Sequence, residues 1–137
     1  MFHSTFRLCL VALVSTVFAF ADTGEGRLFP KSDKITLKKV RFKNQYDMKV
    51  AGNLFVPKSL DKGKKHAAII VGHPMGAVKE QSASLYAYKM AEAGFVALVA
   101  IDLSFWGQSD GTPRNSVLPD IYAEDFSAAV DFLGTQS

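Results

Sequence analysis

Cysteine is nearly absent from this sequence of 137 residues, in which Cys9 is the single example. Cys9 lies inside an N-terminal apolar run that we expect to be removed, so the mature chain would contain no cysteine. A disulfide framework, a thiolate metal site and a cysteine nucleophile are then excluded from the mature protein. An exported protein without disulfides depends on its core for stability, which favours a bacterial periplasm or culture medium.

Apolar runs long enough to cross a membrane are also lacking. The run over residues 8–20 is shorter than the roughly twenty residues that a spanning helix needs, so a membrane anchor is the weaker alternative. Arg7 precedes the run, and Ala19-Phe20-Ala21 forms an A-x-A cleavage pattern after it. We therefore predict a secretory signal peptide at residues 1–21, a flexible leader at 22–33, and a periplasmic or secreted product without membrane contact after cleavage.

Signatures of nucleotide and metal binding are lacking as well. No G-x-G-x-x-G pattern occurs, and Gly72-His73-Pro74 is not a phosphate-cradling glycine loop, so we expect no cofactor. The three histidines, His3, His66 and His73, have no ligand-like spacing with carboxylates, so we expect no metal.

Positive charge is concentrated in the first half of the mature chain. Residues 22–65 hold twelve Lys and Arg against five Asp and Glu, whereas residues 66–137 hold three against eight. Most of the basic residues alternate with apolar ones or crowd a turn, which is typical of the solvated faces of edge strands. A nucleic-acid site would instead interleave them with stacking aromatics on one element, so no nucleic-acid partner is expected.

The most informative stretch that is present runs from Ala67 to Gly76, A-A-I-I-V-G-H-P-M-G. Its apolar start predicts a central strand buried on both faces, which a tight loop through Gly72, Pro74 and Gly76 then ends. A helical pattern follows at once. Loops at the carboxyl ends of parallel strands are where α/β sheets place their chemistry.

The flanking segments predict the rest of an α/β domain. Alternating apolar residues over 35–42 and 48–56 predict an antiparallel hairpin, with a slip at Lys38-Lys39 that favours a bulge. Helical spacing over 78–93 places Leu85, Tyr86, Met90 and Ala93 on one apolar face, with Lys79 on the wetter side.

A second apolar run, Phe95–Ile101, predicts a parallel strand joined to the first by this helix. The loop over 102–119 is long enough to favour a functional role. A last helix, which Asp120 can cap, continues through Leu133 to Gly134.

These motifs resemble the N-terminal half of an α/β-hydrolase. The resemblance rests on the hairpin, on strand-G-H-P-x-G before a helix, and on a loop of the form Asp-x-x-x-x-Gly-x-Ser at Asp102, Gly107 and Ser109. Within that superfamily the chain is most similar to bacterial dienelactone hydrolases and acyl or peptide esterases. The resemblance implies that residues 34–137 form the N-terminal portion of such a domain. The intact domain would cleave an acyl bond of a small-molecule substrate.

The resemblance also implies a role for the loop after the opening strand. In α/β-hydrolases one backbone N–H of the oxyanion hole comes from this loop and the other from the residue after the nucleophile. Met75 or Gly76 would present the loop's N–H, because Pro74 has none, and Gly72 would let the backbone approach a substrate. His73 is interpreted as loop scaffold or pocket wall, since the superfamily's base lies near the end of the domain.

Several other side chains are of types that could take part in the same chemistry. Asp102 is expected to brace its loop rather than serve as a triad acid, and Ser104 and Ser109 to make turn hydrogen bonds rather than act as nucleophiles. Phe105 and Trp106 are candidate substrate-binding residues at a pocket rim, with core packing as the equal alternative. Two acidic residues of the last helix, Glu124 and Asp125, are expected to face solvent or to stabilise the helix start.

The sequence contains no G-x-S-x-G or G-x-C-x-G nucleophile turn, and no histidine follows Gly94. Two hypotheses remain open at this point. In the first, the chain is a fragment of an exported α/β-hydrolase that supplies the oxyanion loop, Gly72 to Gly76, but no catalytic triad. In the second, it is a non-catalytic secreted binding protein that reuses half the fold. Unpaired sheet edges predict self-association in either case.

Overall fold

A computed structural model describes residues 32–61, 63–95 and 98–136 of the chain. The predicted signal peptide, 1–21, and nearly all of the predicted leader, 22–33, lie outside these residues. The described elements are, in chain order, β1 Ile35–Lys43, β2 Lys49–Pro57, β3 Ile69–Gly72, α1 Ser82–Glu92, β4 Leu98–Ile101 and α2 Pro119–Gly134.

The predicted hairpin is confirmed, since β1 and β2 pair in antiparallel orientation. The turn between them is stabilised by Asn44, whose side-chain Oδ1 accepts hydrogen bonds from the backbone N–H groups of Tyr46 and Met48, each at 3.0 Å. The prediction of a bulge at Lys38-Lys39 is wrong, because β1 has no bulge there. The two strands pair residue for residue throughout, with Lys38 opposite Leu54 and Lys39 opposite Asn53.

The four strands form one mixed sheet in the order β1-β2-β4-β3. The predicted parallel pair is confirmed, because β3 and β4 are parallel neighbours joined through α1, while β4 is antiparallel to β2. The prediction that the opening strand is central is wrong. Among the described residues β3 pairs only with β4, so all four of its residues, Ile69–Gly72, stay half-exposed and β4 takes the central position.

Helix α1 packs small side chains against the sheet instead of the large ones predicted. Leu85 and Tyr86 are 40% and 55% exposed, which corrects the apolar face assigned from the sequence. The buried residues of the helix are Ala83, Ser84, Ala87, Tyr88 and Ala91. Because alanine is small, the helix lies close to the sheet, and Tyr88 can meet the ring of Phe55 edge-on at 6.4 Å between centroids.

Helix α2 begins without the side-chain cap predicted for Asp120. Leu118 is the N-cap residue and Pro119 occupies the first turn, where a missing N–H costs no intrahelical hydrogen bond. Asp120 instead lies in the first turn, where its negative charge favours the positive end of the helix dipole.

The two helices cover opposite faces of the sheet. Phe55 and Ala100 point to the α1 side, whereas Leu54, Val99 and Ile101 point to the α2 side, as expected from the alternation of side chains along a strand. None of the helices in the described ranges has the length and apolar character required to cross a bilayer. The carboxyl ends of β3 and β4 lie side by side, and the loops that follow them form the candidate site.

Candidate functional site

The loop after β3 contains a tight turn at residues 74–77. The carbonyl of Pro74 accepts a hydrogen bond from the N–H of Ala77 at 3.1 Å, and Gly76 has a φ of 82°. A positive φ at the third residue of such a turn is the signature of type II, which explains the requirement for glycine. Among the hydrogen bonds of the described residues, none engages the backbone N–H of Met75 or Gly76.

His73 fixes this turn to the loop after β4. Its ring is buried, and Nε2 accepts a hydrogen bond from the backbone N–H of Leu103 at 3.0 Å. Nε2 therefore carries no proton, so Nδ1 carries it and donates to the carbonyl of Pro74 at 2.9 Å. Both ring nitrogens hold backbone groups, which is the arrangement expected of a loop scaffold.

Lys79 is buried, so its predicted position on the wetter side of the helix is wrong. Only 1% of its side chain is exposed, because α1 begins three residues later and leaves Lys79 in the segment that covers Asp102. Its Nζ contacts Asp102 Oδ2 at 2.7 Å, Gln108 Oε1 at 3.1 Å and Glu80 Oε1 at 2.6 Å. Two of these contacts, to Asp102 and Gln108, are hydrogen bonds, and the third is an ion pair with Glu80.

Asp102 braces the loop that it begins, as predicted. Its carboxylate is fully buried, and it accepts from the backbone N–H of Lys79 at 2.7 Å, from Lys79 Nζ at 2.7 Å, and from the backbone N–H of Gln108 at 2.8 Å. Gly107 is required beside it, because its φ is 49° and a Cβ there would overlap the carboxylate. The carboxylate therefore joins the segment before α1 to the loop after β4.

The two serines of this loop make the hydrogen bonds predicted for them. Ser109 Oγ donates to the carbonyl of Asp102 at 2.7 Å and accepts from the N–H of Ala51 at 2.8 Å. Ser104 Oγ donates to Asp125 Oδ1 at 2.8 Å. Both hydroxyls are buried within these contacts, and no histidine of the described residues lies among their hydrogen-bond partners.

Asp125 is fully buried, which corrects the solvent-facing position expected from the sequence. Its carboxylate accepts from Ser104 N at 2.6 Å, from Ser104 Oγ at 2.8 Å and from Asn44 Nδ2 at 2.9 Å. Helix α2 turns this residue inward, so it joins the hairpin turn to the loop after β4. The neighbouring Glu124 is half-buried and accepts two hydrogen bonds from Gln45 instead of facing solvent freely.

The buried position of Asp125 predicts a pH dependence of stability. Burial raises the pKa of this carboxyl above its ordinary 3.8, despite the three hydrogen bonds that lower it. The folded state then holds the proton more tightly than the unfolded state, so the associated stability is fully present below 3.8 and is lost as the pH rises through the folded pKa. We expect the free energy of unfolding of wild type, relative to Asp125→Asn, to fall as the pH rises above 3.8.

Urea unfolding of both chains at each pH measures this difference. Any constant effect of the amide substitution cancels, because only the change with pH is compared. If the free energy of unfolding of wild type relative to Asp125→Asn rose with pH, hydrogen bonding would outweigh burial in setting the pKa of Asp125.

The two aromatic residues of the loop differ in their surroundings. Phe105 is 5% exposed, with a φ of 74°, and its ring lies where a side chain on Gly111 would be. That burial favours the core-packing alternative for Phe105. Trp106 is half-buried beside His73, with 6.2 Å between ring centroids, and its Nε1 donates to Tyr122 Oη at 2.6 Å. Contact of Phe105 or Trp106 with a substrate remains a prediction.

Lys79 and Asp125 are the important residues of this region whose positions the sequence did not indicate. Each is bound to groups far along the chain, over 23 residues for Lys79 and Asp102 and 81 for Asp125 and Asn44. Hydropathy predicts that both charged residues lie at the surface, and the periodicity of the sequence does not identify their distant hydrogen-bond partners. Within the described ranges, no group of three or more His, Cys, Asp or Glu is arranged to hold a metal ion.

The sheet order, the crossover helix and the two braced loops together give the described part of the chain the fold of the α/β-hydrolases. No family model matches the sequence. The uncharacterized protein PA2218 of Pseudomonas aeruginosa is 52% identical over 107 residues, which are 78% of this chain and 28% of that protein. Its crystal structure superposes with a TM-score of 0.72 at 51% identity and covers 78% of this chain and 33% of the solved one.

Two solved enzymes share the fold at lower identity. The α/β hydrolase GrgF from Penicillium sp. sh18 has a TM-score of 0.65 at 22% identity, over 74% of this chain and 33% of its own. The Pyrococcus furiosus esterase Pf2001 has a TM-score of 0.56 at 16% identity, over 78% of this chain and 40% of its own. The chain thus spans between about a quarter and two fifths of the length of these proteins.

Proposed function

We propose that this chain is the N-terminal part of an exported α/β-hydrolase that cleaves an ester, thioester or similar acyl bond of a small molecule. The fold shared with GrgF and with the esterase Pf2001 supports a hydrolase relationship. In the proposal, this part supplies the oxyanion loop, Gly72 to Gly76, and the remaining part supplies the nucleophile, acid and base. No G-x-S-x-G or G-x-C-x-G turn occurs in the 137 residues, so the chain alone is expected to be inactive.

The observation that carries the proposal is that, within the part of the chain that the structure describes, the N–H groups of Met75 and Gly76 have no hydrogen-bond partner and lie in a braced turn. Attack on an acyl carbon places negative charge on the carbonyl oxygen, and preorganised N–H donors stabilise that charge without a reorganisation cost. Of the two, we assign Met75 as the donor. Its N–H lies opposite the Pro74 carbonyl in a trans peptide, and that carbonyl is fixed by both Ala77 and His73.

The remaining parts of the proposal concern location and association. The A-x-A pattern before residue 22 supports export to the periplasm or medium. Within the described ranges β3 is paired on one side only, and this half-exposed edge supports self-association, because a strand edge offers backbone groups to a second chain. Neither nucleic acid nor a cofactor is part of the proposed activity.

Two experiments test the proposed function. The first is to read the coding sequence beyond the codon for Ser137, where we expect a nucleophile turn followed by an acid and a histidine. The second is to build a chimera, defined as PA2218 in which the 107 aligned residues of this chain replace their counterparts, and to assay it with a chromogenic ester beside unmodified PA2218. We expect turnover by the chimera; a folded chimera that turns over no ester or thioester would contradict the proposal.

A further inference from the structure

The turn that presents Met75 is attached to the loop after β4 on both sides. Before the turn, His73 Nε2 accepts from the N–H of Leu103 at 3.0 Å. After the turn, Lys79 is bound to Asp102 twice, through its backbone N–H and through Nζ, both at 2.7 Å. Leu103 and Asp102 are adjacent in the chain. One dipeptide at the end of β4 therefore anchors both ends of the segment 73–79.

The second attachment uses a buried ion pair, which is a costly choice if stability is its only purpose. Lys79 and Asp102 are 1% and 0% exposed, so both charges have lost most of their hydration. Buried ion pairs are often no more stabilising than apolar side chains of similar volume, but they hold one specific geometry. Two hydrogen bonds from Nζ, to Asp102 and Gln108, and an ion pair with Glu80 hold the lysine side chain in place.

The first attachment acts directly on the peptide that ends in the Met75 N–H. The Pro74 carbonyl accepts from His73 Nδ1 at 2.9 Å and from Ala77 N at 3.1 Å. These two donors fix the plane of the peptide between Pro74 and Met75, and a planar trans peptide directs its N–H away from its carbonyl. The orientation of the Met75 N–H thus follows from the position of the His73 ring.

We propose that His73 and Lys79 are positioning residues that clamp the 73–79 segment and hold the Met75 N–H in a fixed direction. The catalytic meaning of this clamp rests on the proposed function, whereas its effect on the backbone does not. Neither side chain is proposed to touch the substrate. His73 acts through the Pro74 carbonyl, and Lys79 acts through Asp102.

Backbone ¹⁵N relaxation of the full chain tests the clamp without any assay of hydrolysis. Although the Met75 and Gly76 amides have no hydrogen-bond partner among the described residues, we expect order parameters near those of rigid backbone, about 0.85. Met75→Ala, which retains the backbone N–H, should keep that value. In Lys79→Met and His73→Phe the values at 75 and 76 should fall toward about 0.6, while those of β1 and β2 stay unchanged.

The matched controls are Lys89→Met and His73→Gln. Lys89 lies on α1 in an exposed pair with Glu92, so its loss should leave residues 75 and 76 ordered. Glutamine at 73 retains an acceptor for Leu103, but its amide nitrogen is bonded to the same carbon as that oxygen and cannot take the place of Nδ1 beside Pro74, so an intermediate order parameter is expected. A low order parameter of the Met75 amide in the wild-type chain would overturn the proposal, and this result does not depend on whether a variant folds. A high order parameter of the Met75 amide in folded Lys79→Met would also overturn it.

Kinetics in the chimera separates positioning from a merely structural role. Lys79→Met should lower kcat by roughly tenfold to a hundredfold with little change in KM, as misplacement of a catalytic group does. In the Met75→Pro background, which lacks the N–H, the same change should cause little further loss of kcat. Full additivity would overturn positioning through Met75. If a folded chimera turned over no ester while residues 75 and 76 stayed ordered, the proposed function would be refuted but the clamp would not.

Discussion

Replacing Met75 by proline in the chimera lowers kcat for a chromogenic ester by about a hundredfold or more. This is the loss typical of removing one donor from an oxyanion hole. The substitution deletes the backbone N–H at a position where the turn tolerates proline, and it also replaces an exposed side chain. Met75 occupies the second place of the 74–77 turn, and that place in type II turns commonly holds proline. The effect should appear in kcat more than in KM, because the oxyanion forms only during reaction.

Met75→Ala is the matched control for this prediction. It removes a side chain that is 75% exposed but retains the N–H, so kcat should stay close to that of the chimera. Equal activity of the proline and alanine variants would show that the Met75 N–H has no role in the reaction. Far-ultraviolet circular dichroism of both variants checks that the fold is retained.

Replacing Asp102 by alanine lowers the free energy of unfolding of the chain by about 3–5 kcal/mol. This is the cost of leaving one partner of a buried ion pair uncompensated. The buried Lys79 ammonium would lose its buried carboxylate partner and keep only Glu80, whose side chain is 40% exposed, and the N–H groups of Lys79 and Gln108 would lose their acceptor. A domain of this size is stable by only about 5–15 kcal/mol, so a large part of the stability would be lost.

Urea unfolding with linear extrapolation measures this change. Lys89→Met serves as the control, because the Lys89–Glu92 pair is exposed and such pairs contribute little. If Asp102→Ala were no more destabilising than Lys89→Met, the ion pair would have no structural importance and the clamp would lose its second anchor.

The strands could be predicted from local sequence patterns, whereas their order in the sheet could not. Alternation predicted β1 and β2, and the two continuous apolar runs predicted the parallel pair β3 and β4. The sheet order did not follow, because an apolar run marks burial without saying which strands flank it. The run at β3 predicted a central strand, whereas β4 lies between β2 and β3.

The candidate site was predicted unevenly for a related reason. Backbone features, such as the turn that requires Gly76, can be predicted directly from the residue types. The inward position of Lys79 depends instead on where α1 begins, three residues after the segment that the helical pattern included. Asp125 was misplaced because its partners, Asn44 and Ser104, are brought together only by tertiary packing.

The most direct test of the central claim is a crystal structure of the chimera inhibited by an alkyl phosphonate, which mimics the tetrahedral intermediate of ester hydrolysis. The proposal predicts a phosphonyl oxygen about 2.7–3.1 Å from the Met75 backbone nitrogen, with the 73–79 turn in the conformation described above. A phosphonyl oxygen bound elsewhere, beyond hydrogen-bond distance of the 73–79 backbone, would contradict the assignment of this loop to the oxyanion hole.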